Sequence, residues 1–401
     1  MSEPVINGEP VMNGEPVING VPVGGLSIGE VLPAGEVAVS DLSAAPAVNA
    51  VAGQVGEPAV VESVAAARGP LVMEAVDLNK VFKLGRGQVL QAVRNVSFGL
   101  YKGAVVALVG ESGSGKSTVA KLLAGQERPT SGTIKLDGKP ISIHGDHAFR
   151  RYKNQVQYVF QDPFSSLNPV HTVGYHLVRP VRLHQGRGVN VSETVTALLE
   201  QVRLTPAVQF VAKYPHELSG GQRQRVSFAR ALAAQPIVLL ADEPVSMLDV
   251  SIRLEMLNLL DDLRTRLSLA LLYITHDIAS ARYFADEVLV MYGGQIVERG
   301  SAEDVTQRPA HPYTQLLIAS APDPDNLGSV LKSGNAVAGG GAGRAGNLGP
   351  ASVGCPFSNR CPLAVDKCKR ENPALQLLTP ERAAACWRLD VAASHQASGS
   401  V

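Results

Sequence analysis

The hydrophobic and polar positions divide this chain into stretches of different period. Residues 71–84, LVMEAVDLNKVFKL, and then QVLQAVRNVSFGLYKG alternate apolar with polar positions and are rich in β-branched residues, which predicts antiparallel strands with order beginning near Leu71. Val105 to Val109 is instead an unbroken apolar run, the pattern of a strand buried on both faces. An amphipathic helix is predicted to follow it through Lys121 to a glycine stop at Gly125, and SGTIKLDGKPI reads as a hairpin turned at Asp137-Gly138. VQYVF predicts a strand ending at Gln161 in a Pro- and Ser-punctuated loop, and Val173 to Leu204 has the spacing of a helical insertion. A long arginine-rich helix is expected after Leu218, a second buried strand over Ile237 to Ala241, and a further one, LLYIT, ending at Thr275-His276-Asp277.

Three stretches lack either period. Residues 1–69 open with PVINGEPVMNGEPVINGVPV, a repeated unit carrying a proline and a glycine each time, which suits neither a helix nor a ladder strand and predicts a disordered tail. A hexapeptide β-helix is the structured alternative, but it needs more coils than this repeat supplies. Residues 323–350, with SGNAVAGGGAGRAGNLG, read as a Gly-rich linker, and 391–401 as a second tail.

Composition narrows the class. The 401 residues, 45% apolar, suffice for a globular core with appendages. Thirty-six basic and thirty-six acidic residues cancel, so no basic field points to nucleic acid. No run of eighteen apolar residues and no signal-peptide pattern appears, so a cytosolic location is expected.

The chemistry begins after the first buried strand. Gly110-Glu111-Ser112-Gly113-Ser114-Gly115-Lys116-Ser117, followed by Thr118, fits the phosphate-loop pattern G-x-x-x-x-G-K-[ST] without a mismatch. Its glycines let backbone N–H groups converge on phosphates at a helix N-terminus; Lys116 is expected to reach the β- and γ-phosphates and Ser117 to hold Mg²⁺. Ser219-Gly220-Gly221 opens another helix with free N–H groups. Asp242 and Glu243 leave a buried strand at its carboxyl end, where α/β sheets bind ligands, Asp242 suited to Mg²⁺ and Glu243 to polarising water. Gln161 at a strand end can reach the same metal or a water, and His276 can sense the γ-phosphate or simply cap the next helix. Phe82 is either a half-buried strand residue or a ring on which a base stacks.

In this order the motifs resemble those of an ABC-type ATPase, the nucleotide-binding subunit of a membrane transporter. Gly110 to Ser117 matches Walker A, Gln161 the Q-loop, Leu218-Ser219-Gly220-Gly221-Gln222 the signature, Ile237 to Glu243 Walker B with its catalytic glutamate, Ser246 to Asp249 the D-loop (SMLD where SALD is commoner), His276 the switch histidine and Phe82 the adenine-stacking aromatic. FQDPFSSLNP, YPHELSGGQRQR, HPYTQLL and GCPFSNRCPLAVDKC are similar to the oligopeptide/dipeptide importer branch. The resemblance implies an α/β P-loop NTPase fold over residues 70–322: a RecA-like core, an antiparallel β subdomain, an α-helical subdomain, and a small Cys-containing C-terminal domain over 351–390. It implies ATP and Mg²⁺, and an ATP sandwich with a second ATPase subunit, copy or paralogue, in which the signature and Asp249 face the partner's nucleotide. Two permease subunits would dock on the loop after Gln161 and the helical insertion, and an extracytoplasmic solute-binding protein would complete the importer at the cytoplasmic face of the membrane. Nickel, glutathione and oligosaccharides stay open as cargo beside peptides. A soluble ABC ATPase acting on DNA or ribosomes is the other reading, without the coiled coils, paired cassettes or basic surface it needs.

All four cysteines, Cys355, Cys361, Cys368 and Cys386, fall within one 32-residue stretch. Clustered thiols in a reducing compartment suggest a metal. The intervals of five, six and seventeen residues lack the tight knuckles of structural zinc, so a [4Fe-4S] cluster is expected first, zinc second and four unligated thiols third. The C-terminal tail of the resembled branch has the same cysteine pattern, and some members hold such a cluster.

Overall fold

The computed structural model describes residues 69–84, 88–142, 147–162, 166–186, 188–320 and 353–390. The predicted N-terminal tail up to residue 68, the linker over 323–350 and the end at 391–401 lie outside the described residues.

The two predicted alternating stretches are β1, Leu71–Lys83, and β2, Val89–Tyr101, and the unbroken run is β3, Val105–Val109. β4, Ser131–Leu136, and β5, Lys139–Pro140, form the predicted hairpin; Asp137 and Gly138 have φ of 49° and 72°, the left-handed pair that a tight Asp-Gly turn requires. These strands make an antiparallel sheet in the order β2-β1-β4-β5. The remaining strands are β6, Val156–Val159, β7, Val238–Asp242, β8, Ala270–Thr275, β9, Glu287–Tyr292, β10, Gln295–Ser301, β11, Gln376–Thr379, and β12, Arg382–Ala384. They join β3 in an eight-stranded sheet ordered β11-β12-β10-β9-β3-β8-β7-β6, parallel from β9 to β6 and antiparallel from β9 to β11.

β3 pairs on both sides, with β8 and β9, and is buried throughout, which is why its sequence shows no alternation. Its side chains still alternate in space. Val106 and Leu108 enter a core shared with the antiparallel sheet and the helix Lys116–Leu123, while Val105, Ala107 and Val109 enter the core beneath the helical insertion. That insertion comprises the helices Val173–Gln185, Val191–Gln201 and Ala207–Val211. β6 ends at Val159, two residues short of the predicted strand end, so Gln161 stands in the loop beyond it.

The small cysteine-bearing stretch at the C-terminal side is built onto the main sheet. β12 pairs with β10, Ala384 opposite Glu298 and Ala383 opposite Arg299, and β11 forms the outer edge. So short a piece has too little apolar surface for a core of its own; Ala383, Ala384 and Ala385 are at most 2% exposed because they use the parent's edge.

Candidate nucleotide-binding and hydrolysis site

Between β3 and the helix Lys116–Leu123 the chain turns through glycines that no other residue can replace. Gly110 and Gly115 have φ of 158° and 107°, and a Cβ on them would sit 2.2 Å from the Met291 carbonyl oxygen and 2.3 Å from that of Ala92. No side chain caps the helix, which leaves its first N–H groups free for an anion. Lys116 is buried with Nζ 2.7 Å from the Gly110 carbonyl oxygen and 2.9 Å from that of Glu111. Burial lowers its pKa, and the carboxylates of Glu243, Asp242 and Glu111 oppose that shift.

Adjacent strand ends bring the other predicted residues to this loop. Ser117 donates from Oγ to Asp242 Oδ1 at 3.1 Å, joining the phosphate loop to the last residue of β7. Glu243 follows with φ 45°, a left-handed conformation unusual for a side-chain-bearing residue, fixed by its N–H on the Ile274 carbonyl oxygen at 2.9 Å and by Ser246, whose N–H and Oγ bond the Glu243 carbonyl oxygen. Gln161 Nε2 donates to Glu243 Oε2 at 2.9 Å, and His276 Nδ1 lies 3.3 Å from Glu243 Oε1. Asp277, not His276, caps the next helix, by accepting from the Ala279 N–H at 3.0 Å. Phe82 is half-buried on β1, with the Lys80 ammonium 4.8 Å from its ring centre.

The signature residues do not join this cluster within the chain. Ser219 accepts from the Gln222 N–H and Gln222 Oε1 from the Ser219 N–H, a reciprocal cap on the helix Gly220–Leu232, while Leu218 is buried. Ser219 and Asp249 are exposed, and the Asp249 side chain makes no capping bond to the helix it precedes.

Three contributors escaped the sequence reading. Tyr158 on β6 donates its hydroxyl to Asp242 Oδ2 at 2.6 Å, and burial and that carboxylate both raise its pKa. Tyr313, in HPYTQLL, accepts the Glu111 N–H at 2.8 Å. Arg360 pairs with the Glu111 carboxylate through both terminal nitrogens, at 2.8 and 2.9 Å. No local pattern marked Tyr158, and Arg360 lies 249 residues from its partner.

All four cysteines line one small cavity, together with His311, Phe357 and Trp387. The Arg388 N–H donates to the Cys386 sulfur at 3.3 Å. Burial pushes the Cys355 thiol up to about 11, with the other three thiols adding to the shift, and raises Cys361 and Cys386. Among the described residues no group of three His, Cys, Asp or Glu side chains is arranged to hold a metal ion.

The family model for ABC transporters matches residues 93–246, and that for the C-terminal region of oligopeptide/dipeptide transporters matches residues 297–368. The chain is 42% identical over 307 residues to a putative peptide import ATP-binding protein of Brucella ovis, an overlap of 76% of this chain and 93% of the relative. It is 39% identical over 323 residues to the di/tripeptide transport ATP-binding protein DppF of Pseudomonas aeruginosa, 79% and 97% of the two chains. A dimeric post-hydrolysis structure of the ATP-binding cassette MJ0796 with ADP and Pi is similar at a TM-score of 0.52 and 27% identity, over 57% of this chain and 98% of that one. With its phosphate loop, paired acidic residues and signature folded as described, the chain belongs to the ATP-binding proteins of ABC transporters, in their oligopeptide/dipeptide branch.

Proposed function

We propose that the chain binds MgATP over Gly110–Ser117 and hydrolyses it to drive uptake of oligopeptides or dipeptides. The observation that carries this reading is the Glu243 carboxylate held between Gln161 and His276, beside an Asp242 that is bonded to Ser117. Phosphoryl transfer needs positioning and charge stabilisation more than covalent chemistry, and this arrangement supplies both. Glu243 orients and polarises the attacking water, Gln161 and His276 hold its carboxylate in place, and Lys116 turns its ammonium from loop carbonyls to the β- and γ-phosphates. Ser117 and Asp242 offer oxygens suited to Mg²⁺, with Gln161 within the same cluster; the ion, when bound, offsets charge on the phosphate oxygens. Phe82 takes the adenine.

The exposed Ser219 and Asp249 suit a second ATPase subunit, whose nucleotide the signature would cover. Among the described residues no helix is long and apolar enough to cross a membrane. On the pattern of its family, the chain would work with two permease subunits at the cytoplasmic face, with a solute-binding protein delivering cargo. Peptide cargo rests on the relatives from Brucella ovis and Pseudomonas aeruginosa.

The four thiols would hold a [4Fe-4S] cluster. The preference for a cluster over zinc rests on the intervals of five, six and seventeen residues, which lack the tight knuckles of structural zinc.

Glu243→Gln tests the central assignment. ATP binding should persist and a dimer should accumulate with ATP in size-exclusion chromatography, while turnover falls on the order of 10²-fold or more. Hydrolysis at the wild-type rate overturns the role.

A further inference from the structure

The loop between Cys355 and Cys361 carries Arg360, and both of its ends are thiols of the cysteine cavity. The Arg360 guanidinium lies 5.8 Å from the ring centre of Tyr292 and 5.7 Å from that of Phe357, so aromatic faces set its direction before it meets Glu111. It then grips the Glu111 carboxylate with both ends of its fork, at 2.8 and 2.9 Å. Two further contacts tie the same region to the phosphate loop. Tyr313 accepts the Glu111 N–H, and the Tyr313 N–H donates to Nδ1 of His311, itself part of the cysteine cavity wall. Pro356 packs on Gly293, where an added Cβ would come within 2.7 Å, and the neighbouring Gly294 N–H donates to the Ser114 carbonyl oxygen at 3.0 Å.

Glu111 is the one acidic residue within GESGSGKS. A bare carboxylate there would repel the polyphosphate that the loop must accept, and the fork removes that repulsion while holding the start of the loop. We propose that Arg360 is a positioning residue for the ATPase: carried by the cysteine loop, it neutralises and holds Glu111, so that a change at the cysteine centre is felt as a change in affinity for ATP. The proposal rests on reading Gly110–Ser117 as the ATP loop.

The test is equilibrium binding of a fluorescent ATP analogue to the full chain, with steady-state ATPase kinetics beside it. R360M removes charge and fork at a side chain that is 44% exposed, so the fold is expected to survive. Its Kd and KM for ATP should rise about three- to tenfold with kcat changed by less than about twofold, the size of losing one bidentate charged contact. R360K should recover part of the loss, because it restores the charge without the fork. E111Q introduced into R360M should recover most of it, because the repulsion then disappears with its source. C361S should weaken ATP binding in the Arg360 chain and add nothing in R360M. Unchanged affinity in R360M, a loss that E111Q leaves in place, or additive losses for C361S and R360M overturn the coupling. K116A separates the two readings: if it abolishes binding while R360M does nothing, only the coupling fails, and if it binds as wild type, the ATP-loop reading fails.

Discussion

Asp242 illustrates how one side chain is fixed from two sides. Ser117 Oγ occupies Oδ1 and the Tyr158 hydroxyl occupies Oδ2, so the carboxylate plane is set while the residue is only 3% exposed. A hydrogen bond to a charged group contributes about 1.5–3 kcal/mol, and without Tyr158 the carboxylate can rotate away from the phosphate loop. Tyr158→Phe is therefore expected to lower kcat by about tenfold, since about 1.4 kcal/mol of lost positioning corresponds to that factor. A purely structural role for the hydroxyl predicts a lower melting temperature with kcat unchanged, and measuring both on one preparation separates the two. Glu243 is the neighbouring case in which the backbone rather than the carboxylate is constrained. Its left-handed φ of 45° is the kind of conformation that survives where surrounding bonds over-determine it, here from Ile274 and Ser246.

Elements position these residues because sequence-local rules and sheet pairing agree. The signature helix begins with a reciprocal Ser219–Gln222 cap, and it lies so close to the helix Val250–Leu267 that a Cβ on Gly221 would come 2.8 Å from Ile252 Cγ2. Gly221→Val should push the two helices apart and cost about 1–3 kcal/mol of stability. ATP turnover should fall, because the signature moves. ATP binding by the single chain should remain, because the phosphate loop lies elsewhere; loss of binding in a folded variant contradicts that division. Motifs of this kind were legible in the sequence wherever the chemistry sits in consecutive residues: the phosphate loop follows β3, the signature opens its helix and the Asp-Gly turn joins β4 to β5 where the pattern placed them, while β7 runs one residue further and takes in Asp242 of the acidic pair. Gln161 and His276 were legible as candidates, but their meeting on Glu243 depends on β6, β7 and β8 lying side by side, which no local pattern encodes. Arg360, Tyr313 and Tyr158 were illegible for the same reason. Each acts on a residue brought near only by the sheet order, and each belongs to a type common on strands and surfaces. The edge hairpin β11–β12 escaped notice because strands of four and three residues are too short to carry a periodic signal.

At the scale of the whole molecule, the C-terminal stretch both closes the edge of the main sheet and braces the phosphate loop. β12 covers β10, Glu298 of β10 accepts from Arg382 at 3.2 Å, and reciprocal amide bonds of 2.9 and 3.1 Å join Asn372 to Gln295. A hairpin of four- and three-residue strands is too small to hold itself, and a cluster on the four thiols, as proposed above, would act as its staple. The full chain purified without oxygen should therefore carry close to four irons and four sulfides with visible charge-transfer absorption. Removing them with a chelator under reducing conditions should lower the melting temperature and open residues 353–390 to proteolysis, since ligand binding to the native state stabilises it by mass action and that contribution is then lost. Helices and strands of the remaining fold should keep their circular dichroism, because both hydrophobic cores are dominated by residues outside the stretch. Cys368→Ala should give the same thermal shift without a chelator, as Cys368 is buried at the cavity and its carbonyl oxygen holds the Cys355 N–H at 2.7 Å. Fewer than about two irons per chain with stoichiometric zinc would replace the cluster by zinc, and a melting temperature indifferent to iron, zinc and Cys368→Ala alike would leave the thiols without a structural group.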